Sequence, residues 1–293
     1  MRRGVVAFLL ACSTSIAIAQ APSAPKKPAA PAARARTTAP AAAAPAPGRS
    51  ICVAAEIGHK FAVHKVGLTI LTNSYDEVAI DSWGLDDGAV RAATTILARH
   101  GYAARRFSLP AAQLAAFEKP AKSVLEGGEL FHDYAKDLVE LIRAGAASTA
   151  KCDFYLVIIR GASRYANTHD NLIGLGILQH GEDYWFAQHL VHAVVDVNLY
   201  DGATFKLRKC AFMGWEPFSK FLTGDGIRGM SRKVDKTWWP SSPAAAAQDT
   251  RFRDAMRDMI VQGLAETLPK SLAALSAPKP EAAAVPRDPD GPH

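Results

Sequence analysis

Two histidines three positions apart, His189 and His192, form the first pattern in this sequence that could hold a metal. Zinc takes imidazole ligands, but in sets of three or four. The residues around them alternate as a strand does. Val191, Val195, Val197 and Leu199 fall on one side with His189, and His192 falls with Asp196 and Asn198. Such positions on a strand face opposite ways, so the two rings cannot share an ion. Gly161-Ala162-Ser163 follows an apolar run, where a tight turn could present Ser163 as a nucleophile with His169 or His180 as base. That elbow needs a second glycine two residues after the serine, and Tyr165 stands there. Gly174-Leu175-Gly176 lacks the third glycine and the following helix of a nucleotide loop. It reads instead as a strand that another backbone or a ring approaches closely. Asp81, Asp86 and Asp87 gather near Trp83, and helix capping accounts for the last two. These patterns imply no catalytic residue, no metal set and no cofactor.

The cysteines bear on the compartment. Beyond Cys12, the chain carries Cys52, Cys152 and Cys210, in or beside strand-like segments that would bury a small thiol. Under oxidising conditions one pair can bridge and one thiol is left over; the spacing does not choose the pair. The N-terminus reads as a secretory signal over residues 1–19. Arg2 and Arg3 precede an apolar run over 4–12, and Ala17-Ile18-Ala19 offers a cleavage site before Gln20. The run falls short of the roughly 20 residues that span a bilayer, and no later stretch is long and apolar enough. In an alternative reading, Leu9-Leu10-Ala11-Cys12 is a lipobox and the protein is a lipoprotein anchored at Cys12. Residues 20–49 are mostly Ala and Pro with scattered Lys and Arg, which makes them a disordered tether, and residues 277–293 repeat that character. The whole chain has 34 Lys and Arg against 28 Asp and Glu, but the excess sits in the first 49 residues. The segment between is neutral, so nothing there demands a nucleic-acid partner.

The elements that would position these groups follow from apolar periodicity. Strands are expected over 51–57 and 61–66, with a third over 68–71 that 78–80 extends. Asp86 and Asp87 N-cap a helix carrying Val90, Ala93, Ile96 and Leu97, and Gly101 stops it. A strand over 102–109 and a short helix over 110–117 follow. Phe131, Tyr134, Leu138, Leu141 and Ile142 mark a stronger helix, closed by Gly145. Residues 154–159 are apolar throughout, which places that strand centrally with both faces covered. Strands over 171–179, 189–200 and 205–211 lead to a final helix over 249–272 with Phe252, Met256, Met259, Ile260 and Leu264 on its apolar face. A turn of Tyr200, Asp201 and Gly202 would set Val197 opposite Phe205 and Val195 opposite Leu207. The fold class is α+β: one domain over 50–276, a mixed or antiparallel sheet, and helices mainly on one face.

The segment 212–248 is long for a connection inside such a domain. It holds Trp215, Phe218, Phe221, Trp238 and Trp239, with Lys220, Arg228, Arg232, Lys233 and Lys236 outnumbering Glu216, Asp225 and Asp235. Either it is a loop folded over the sheet with its rings buried, carrying a short helix at 217–222, or it faces a partner or ligand. On the second reading the surface comprises Trp215, Arg228, Arg232, Lys233, Lys236, Trp238 and Trp239.

Cys152-Asp153-Phe154-Tyr155-Leu156-Val157, the stretch Val194-Val195-Asp196-Val197-Asn198-Leu199-Tyr200-Asp201-Gly202, and the terminal amphipathic helix together form a pattern over residues 150–275. It resembles the α/β periplasmic domains of envelope assembly proteins, including that of the curli secretion channel and the N-terminal domain of the Tol-system translocation protein. The resemblance implies an envelope partner and brings no catalytic residues. The N-terminal strand pair and residues 212–248 depart from that pattern. The expected function is a non-catalytic periplasmic binding or assembly module whose partner is an envelope protein or cell-wall component. The alternatives are a hydrolase with an unrecognised site and a small-ligand binder with 212–248 as its lid. If export follows the secretory reading, mass spectrometry of periplasmic protein finds an N-terminus at Gln20. An acylated Cys12 would establish the lipoprotein instead.

Overall fold

Alternating apolar side chains give β1 (Ser50–Glu56) and β2 (Lys60–Val66), and the edge strand β3 (Ser74–Ala79) pairs back on β2. Helix α1 (Leu85–Arg99) buries Leu85, Ala89, Val90, Ala93 and Leu97, one face of a 3.6-residue period. β4 (Ala103–Arg106), α2 (Ala111–Phe117) and α3 (Tyr134–Ala147) lead to β5 (Phe154–Arg160). β6 (Ala162–Arg164), β7 (Asn171–Ile173), β8 (Leu175–His180), β9 (Gln188–Ala193), β10 (Val195–Asp201), β11 (Leu207–Phe212) and β12 (Met230–Lys233) follow. Helices α4 (Pro243–Gln248) and α5 (Thr250–Ser276) close the order. The structure is a computed structural model that describes residues 48–67, 72–117, 134–149, 151–164, 171–181, 187–213 and 229–276, all within one compact unit. The expected signal, the expected tether up to residue 47, the expected tail over 277–293, the strand expected over 68–71, Phe131 and the helix expected over 217–222 lie outside the described residues.

Two five-stranded mixed sheets carry the fold. The first has the order β11-β10-β5-β1-β4, and the second β12-β9-β8-β2-β3. In the first, β1 runs parallel to β4 and β5, while β10 is antiparallel to β5 and β11. In the second, β2 is parallel to β8 and antiparallel to β3, and β9 is antiparallel to β8 and β12. β5, apolar from Phe154 to Ile159, is central, as its sequence requires. One core runs across both sheets: Ile51, Val53, Leu156, Ile158, Val197 and Leu199 of the first join Phe61, Ile177 and Val191 of the second, under α1 and α5. α3 covers the opposite face of the first sheet through Leu138, Leu141 and Ile142. The α+β class therefore holds, with α1, α4 and α5 on one side and α3 on the other.

Several local expectations are corrected. The segments 171–179 and 189–200 are not single strands; they break at Gly174 and Val194, where the chain crosses from one sheet region to the next. Alternation survives the second break, so Val191, Ala193, Val195 and Val197 all reach the same core. Gly84, with φ 61, occupies the N-cap of α1 in place of Asp86 or Asp87. Gly145 does not end α3, which continues to Ala147. The glycine instead lets the helix press on the preceding loop, because a Cβ there would stand 2.7 Å from the Ser108 carbonyl oxygen. Gly101, with φ 80, does follow the end of α1 as expected.

The β10–β11 register also differs. Val197 lies opposite Ala211, and Tyr200 opposite Leu207, with an irregularity after Leu199. Asp201 is the reason. Its carboxylate accepts from the amides of Ala203 (3.2 Å) and Thr204 (2.9 Å), which builds a longer turn. Phe205 then takes φ 55, leaves the ladder and stacks on Tyr155 at 5.5 Å. Gly202 serves close approach, since a Cβ would meet the Cys152 carbonyl oxygen at 2.0 Å.

Cys52 and Cys152 form a disulfide between β1 and the entrance to β5, spanning 100 residues, and Cys210 is a free, exposed thiol rather than a buried one. Loop closure of that length is worth on the order of 4–5 kcal/mol in the chain-entropy account. Gly174 combines a left-handed backbone, φ 57, with close approach, Arg160 Nε lying 2.5 Å from where a Cβ would sit. Gly174→Ala should cost about 1–2 kcal/mol. The urea midpoint should fall at unchanged slope; a variant as stable as the parent would show that the left-handed conformation is not required.

Candidate functional site

Of the residues expected to face a partner, Arg232, Lys233, Lys236, Trp238 and Trp239 fall on a ledge built from β12, a 3-10 turn (Lys236–Trp238) and the start of α5. Over residues 229–248 the segment forms regular elements rather than a loop. Asp235 accepts from the Thr237 amide at 2.9 Å and so caps the turn, and Ser242 caps α4 with Pro243 at its first position. β12 pairs on β9 as an edge strand, its charged side chains masking the strand pattern in the sequence. Trp215 and Arg228 lie outside the described residues. Trp238 is half-buried: its ring meets Phe252 edge-on at 5.6 Å and so joins the chain of rings Phe252, Phe61 and Trp83. Two guanidiniums stack against that ring, Arg232 at 5.7 Å and Arg251 at 5.2 Å from its centroid. Trp239, also half-buried, meets His189 at 6.1 Å.

The electrostatics of this ledge favour anions. Arg232, Lys233 and Lys236 are exposed. The nearby acids are already engaged. The Thr237 amide holds the Asp235 carboxyl below its usual range, and the Arg251 guanidinium does the same for Asp249. The ledge can therefore grip a planar or anionic group through rings and fixed positive charge.

A second cluster escaped the sequence reading. Glu56 ends β1, His59 lies in the link to β2, and Asp86 sits in the first turn of α1, with ligand atoms within 4.8 Å of one another. The spacing Glu56 to His59 was visible, but only the fold brings Asp86 and Asp81 beside it. Both ring nitrogens are engaged: Nε2 with Glu56 at 2.8 Å and Nδ1 with Asp81 at 3.1 Å. The Glu56 carboxylate above all, with Asp81, pushes the imidazole up to about 9 against the penalty of burial. The ring lies between two carboxylates, so the cluster as it stands is an ion-pair network. Asp86 turns its carboxylate to the amides of Ile57 (2.7 Å) and Gly58 (3.0 Å), fixing α1 against the β1–β2 link.

The remaining candidates separate. His189 and His192 point to opposite sides of β9, and His192 is fully buried with Nδ1 at 3.2 Å from the Gly174 carbonyl oxygen. Ser163 is buried within β6, paired with Leu172, so the chain after Gly161 continues as a strand and forms no elbow. His169 lies outside the described residues. Gly176 is approached as expected, by His192 Nε2 at 2.6 Å and the Ala62 carbonyl oxygen at 2.7 Å from its virtual Cβ.

No family model matches the chain, and no curated protein matches it. Solved structures that are similar include the following two. Protein XCC0632 from Xanthomonas campestris, of family DUF330, shares 11% identity at a TM-score of 0.34, covering 81% of this chain and 90% of that one. The hypothetical protein CT253 from Chlamydia trachomatis shares 9% identity at a TM-score of 0.26, covering 74% and 99%.

The His59 network predicts a pH dependence. Its folded pKa of about 9 exceeds the ordinary 6.5, so its stabilisation is complete below 6.5 and is lost as pH rises through 9. Tyr75 and Tyr200, pushed up to about 12 mainly by burial, act only above pH 10. His59→Gln should therefore flatten the fall in melting temperature between pH 7 and 9. An unchanged slope would show that the ring carries no such charge.

Proposed function

We propose that this chain is a non-catalytic binding module of the cell envelope, and that its partner surface is the aromatic and basic ledge around Trp238. The observation that carries the reading is the pair of guanidiniums stacked on a half-buried tryptophan, with exposed Lys233 and Lys236 beside it and the local acids committed to internal bonds. Stacked arginines and tryptophan are the residue types that dominate binding energy at protein interfaces. The Cys52–Cys152 bridge fits an oxidising compartment, and among the described residues no helix is long and apolar enough to cross a membrane. An envelope partner is also what the resemblance to the curli-channel and Tol-system domains implies. The partner is an anionic envelope protein or cell-wall component, steered by Arg232, Lys233 and Lys236.

Trp238 contributes to the core as well as to the ledge, so two variants are needed. Trp238→Ala should lower stability by about 1–3 kcal/mol, since half an indole is already packed. Lys233→Glu with Lys236→Glu touches no core residue and should leave the melting temperature unchanged. Capture of envelope components by the parent should weaken with salt and disappear in the charge-reversed variant. Equal capture by that variant, with equal salt dependence, would refute the ledge as the partner surface.

A further inference from the structure

We propose that a cavity at the entrance to β5, on a different part of the domain from the ledge, binds a small polyanion of the phosphate-ester type. The cavity measures about 710 Å³, within the usual range for small-ligand sites. Its wall is fixed by three independent devices. The Cys52–Cys152 bridge pins one side. Asp153 accepts from the amide (2.7 Å) and hydroxyl (2.9 Å) of Ser50, tying the start of β1 to that of β5. Gly202 N–H donates to the Asp153 carbonyl oxygen at 2.8 Å, which seats the 201–206 turn directly on the Cys152–Asp153 backbone.

Charge decides the ligand. Arg49, Arg143 and Lys151 line this cavity together with Asp153 and Asp201. Asp201 is paired with Arg208, while Asp153 accepts from the Ser50 amide and hydroxyl and keeps its charge, so the three cations face one carboxylate without a cation of its own. Ser50 holds Asp153 below its usual range, and Arg208 with the Thr204 amide holds Asp201 far below it. Arg143 keeps one contact with Glu140, at 2.9 Å, through a single guanidinium nitrogen. Among the described residues Arg49 and Lys151 make no ion pair.

The two arginines are also oriented. Arg49 lies over the Phe154 ring at 5.7 Å, and Arg143 over Phe205 at 5.5 Å. Phe205 in turn stacks on Tyr155, and its φ of 55 is the backbone conformation that puts it there. A guanidinium lying on a ring keeps its N–H edge available for bidentate contact with phosphate oxygens, and a neighbouring lysine adds a point charge. A monocarboxylate would use one such fork; a phosphate group with further negative charge uses all three cations.

That group could belong to a soluble ester or to a lipid headgroup, and the test separates them. Pyrophosphate is titrated into the full chain by calorimetry, and its melting temperature is read against sodium chloride of equal ionic strength. In parallel, the protein is sedimented with phosphatidylglycerol vesicles and with phosphatidylcholine vesicles. The expected result is a pyrophosphate-specific rise in melting temperature, selective sedimentation with phosphatidylglycerol, or both, the pattern naming the source. Lys151→Met and Arg49→Gln should each weaken that binding about tenfold or more. Lys209→Met, an exposed cation outside the cavity, should not. Arg143→Gln is read only if its unliganded melting temperature matches the parent. No response to either anion, or a response that Lys151→Met and Lys209→Met alter equally, overturns the site. Binding here does not depend on the ledge, so Lys233→Glu with Lys236→Glu should retain it.

Discussion

Three strands cross where Gly161, Gly174 and Val194 hydrogen-bond one another in a ring. Gly161 N–H donates to the Val194 carbonyl at 2.9 Å, Val194 N–H to Gly174 at 2.8 Å, and Gly174 N–H to Gly161 at 2.9 Å. All three residues are buried, so each group left unpaired there would cost roughly 1–3 kcal/mol. The ring lies at the breaks between β5 and β6, β7 and β8, and β9 and β10. It satisfies the backbone where the ladders of the two sheets end. Because alternation continues through Val194, one apolar core serves both sheets. Two of its three members are glycine, which is how backbones approach this closely beside Arg160 and Asp196.

The crossing also gathers polar side chains that the core would otherwise exclude. Arg160 pairs with Glu77 across the sheet edge, and that contact holds the Glu77 carboxyl down against burial. His192 Nε2 and Asp196 Oδ1 find no hydrogen-bond partner among the described residues. Burial pushes His192 down to about 4 and Asp196 up to about 6. Their effects on stability oppose one another. The histidine's contribution, present above 6.5, is lost as pH falls toward 4. The carboxyl's, present below 3.8, is lost as pH rises through 6. Between pH 4 and 6 one gain offsets the other loss. At neutral pH an uncharged ring lies at Gly174 and Gly176 and a poorly solvated carboxylate at Gly161.

Ledge and cavity draw on different parts of this frame. The ledge rests on the aromatic chain from Trp83 through Phe252, so its rings are anchored in the main core while its cations face outward. The cavity rests on the first sheet's other end, where the disulfide and the Asp201 turn set the walls. In both, internal bonds absorb the acids and leave arginines stacked on rings. That shared device supplies fixed positive charge at low entropic cost, because the guanidinium is already positioned.

The sequence by itself determined the elements whose signal is local. The apolar run at 154–159 required a central strand, alternation over 191–199 required one core-facing side, and the amphipathic period at 252–264 required a helix on that core. It also ruled out shared chelation by His189 and His192 and an elbow at Ser163. What only the tertiary structure decided depends on partners distant in the chain. The pairing of Cys52 with Cys152 follows from β1 and β5 lying side by side. Gly145 reads as a stop because glycine usually is one, yet here Ser108 approaches it. The β10–β11 register turned on Asp201 collecting two amides, a hydrogen-bond choice that hydrophobic pairing does not encode. Neither the cavity nor the His59 network has a sequence signature, because each joins residues from three or more elements, and only packing sets their distances.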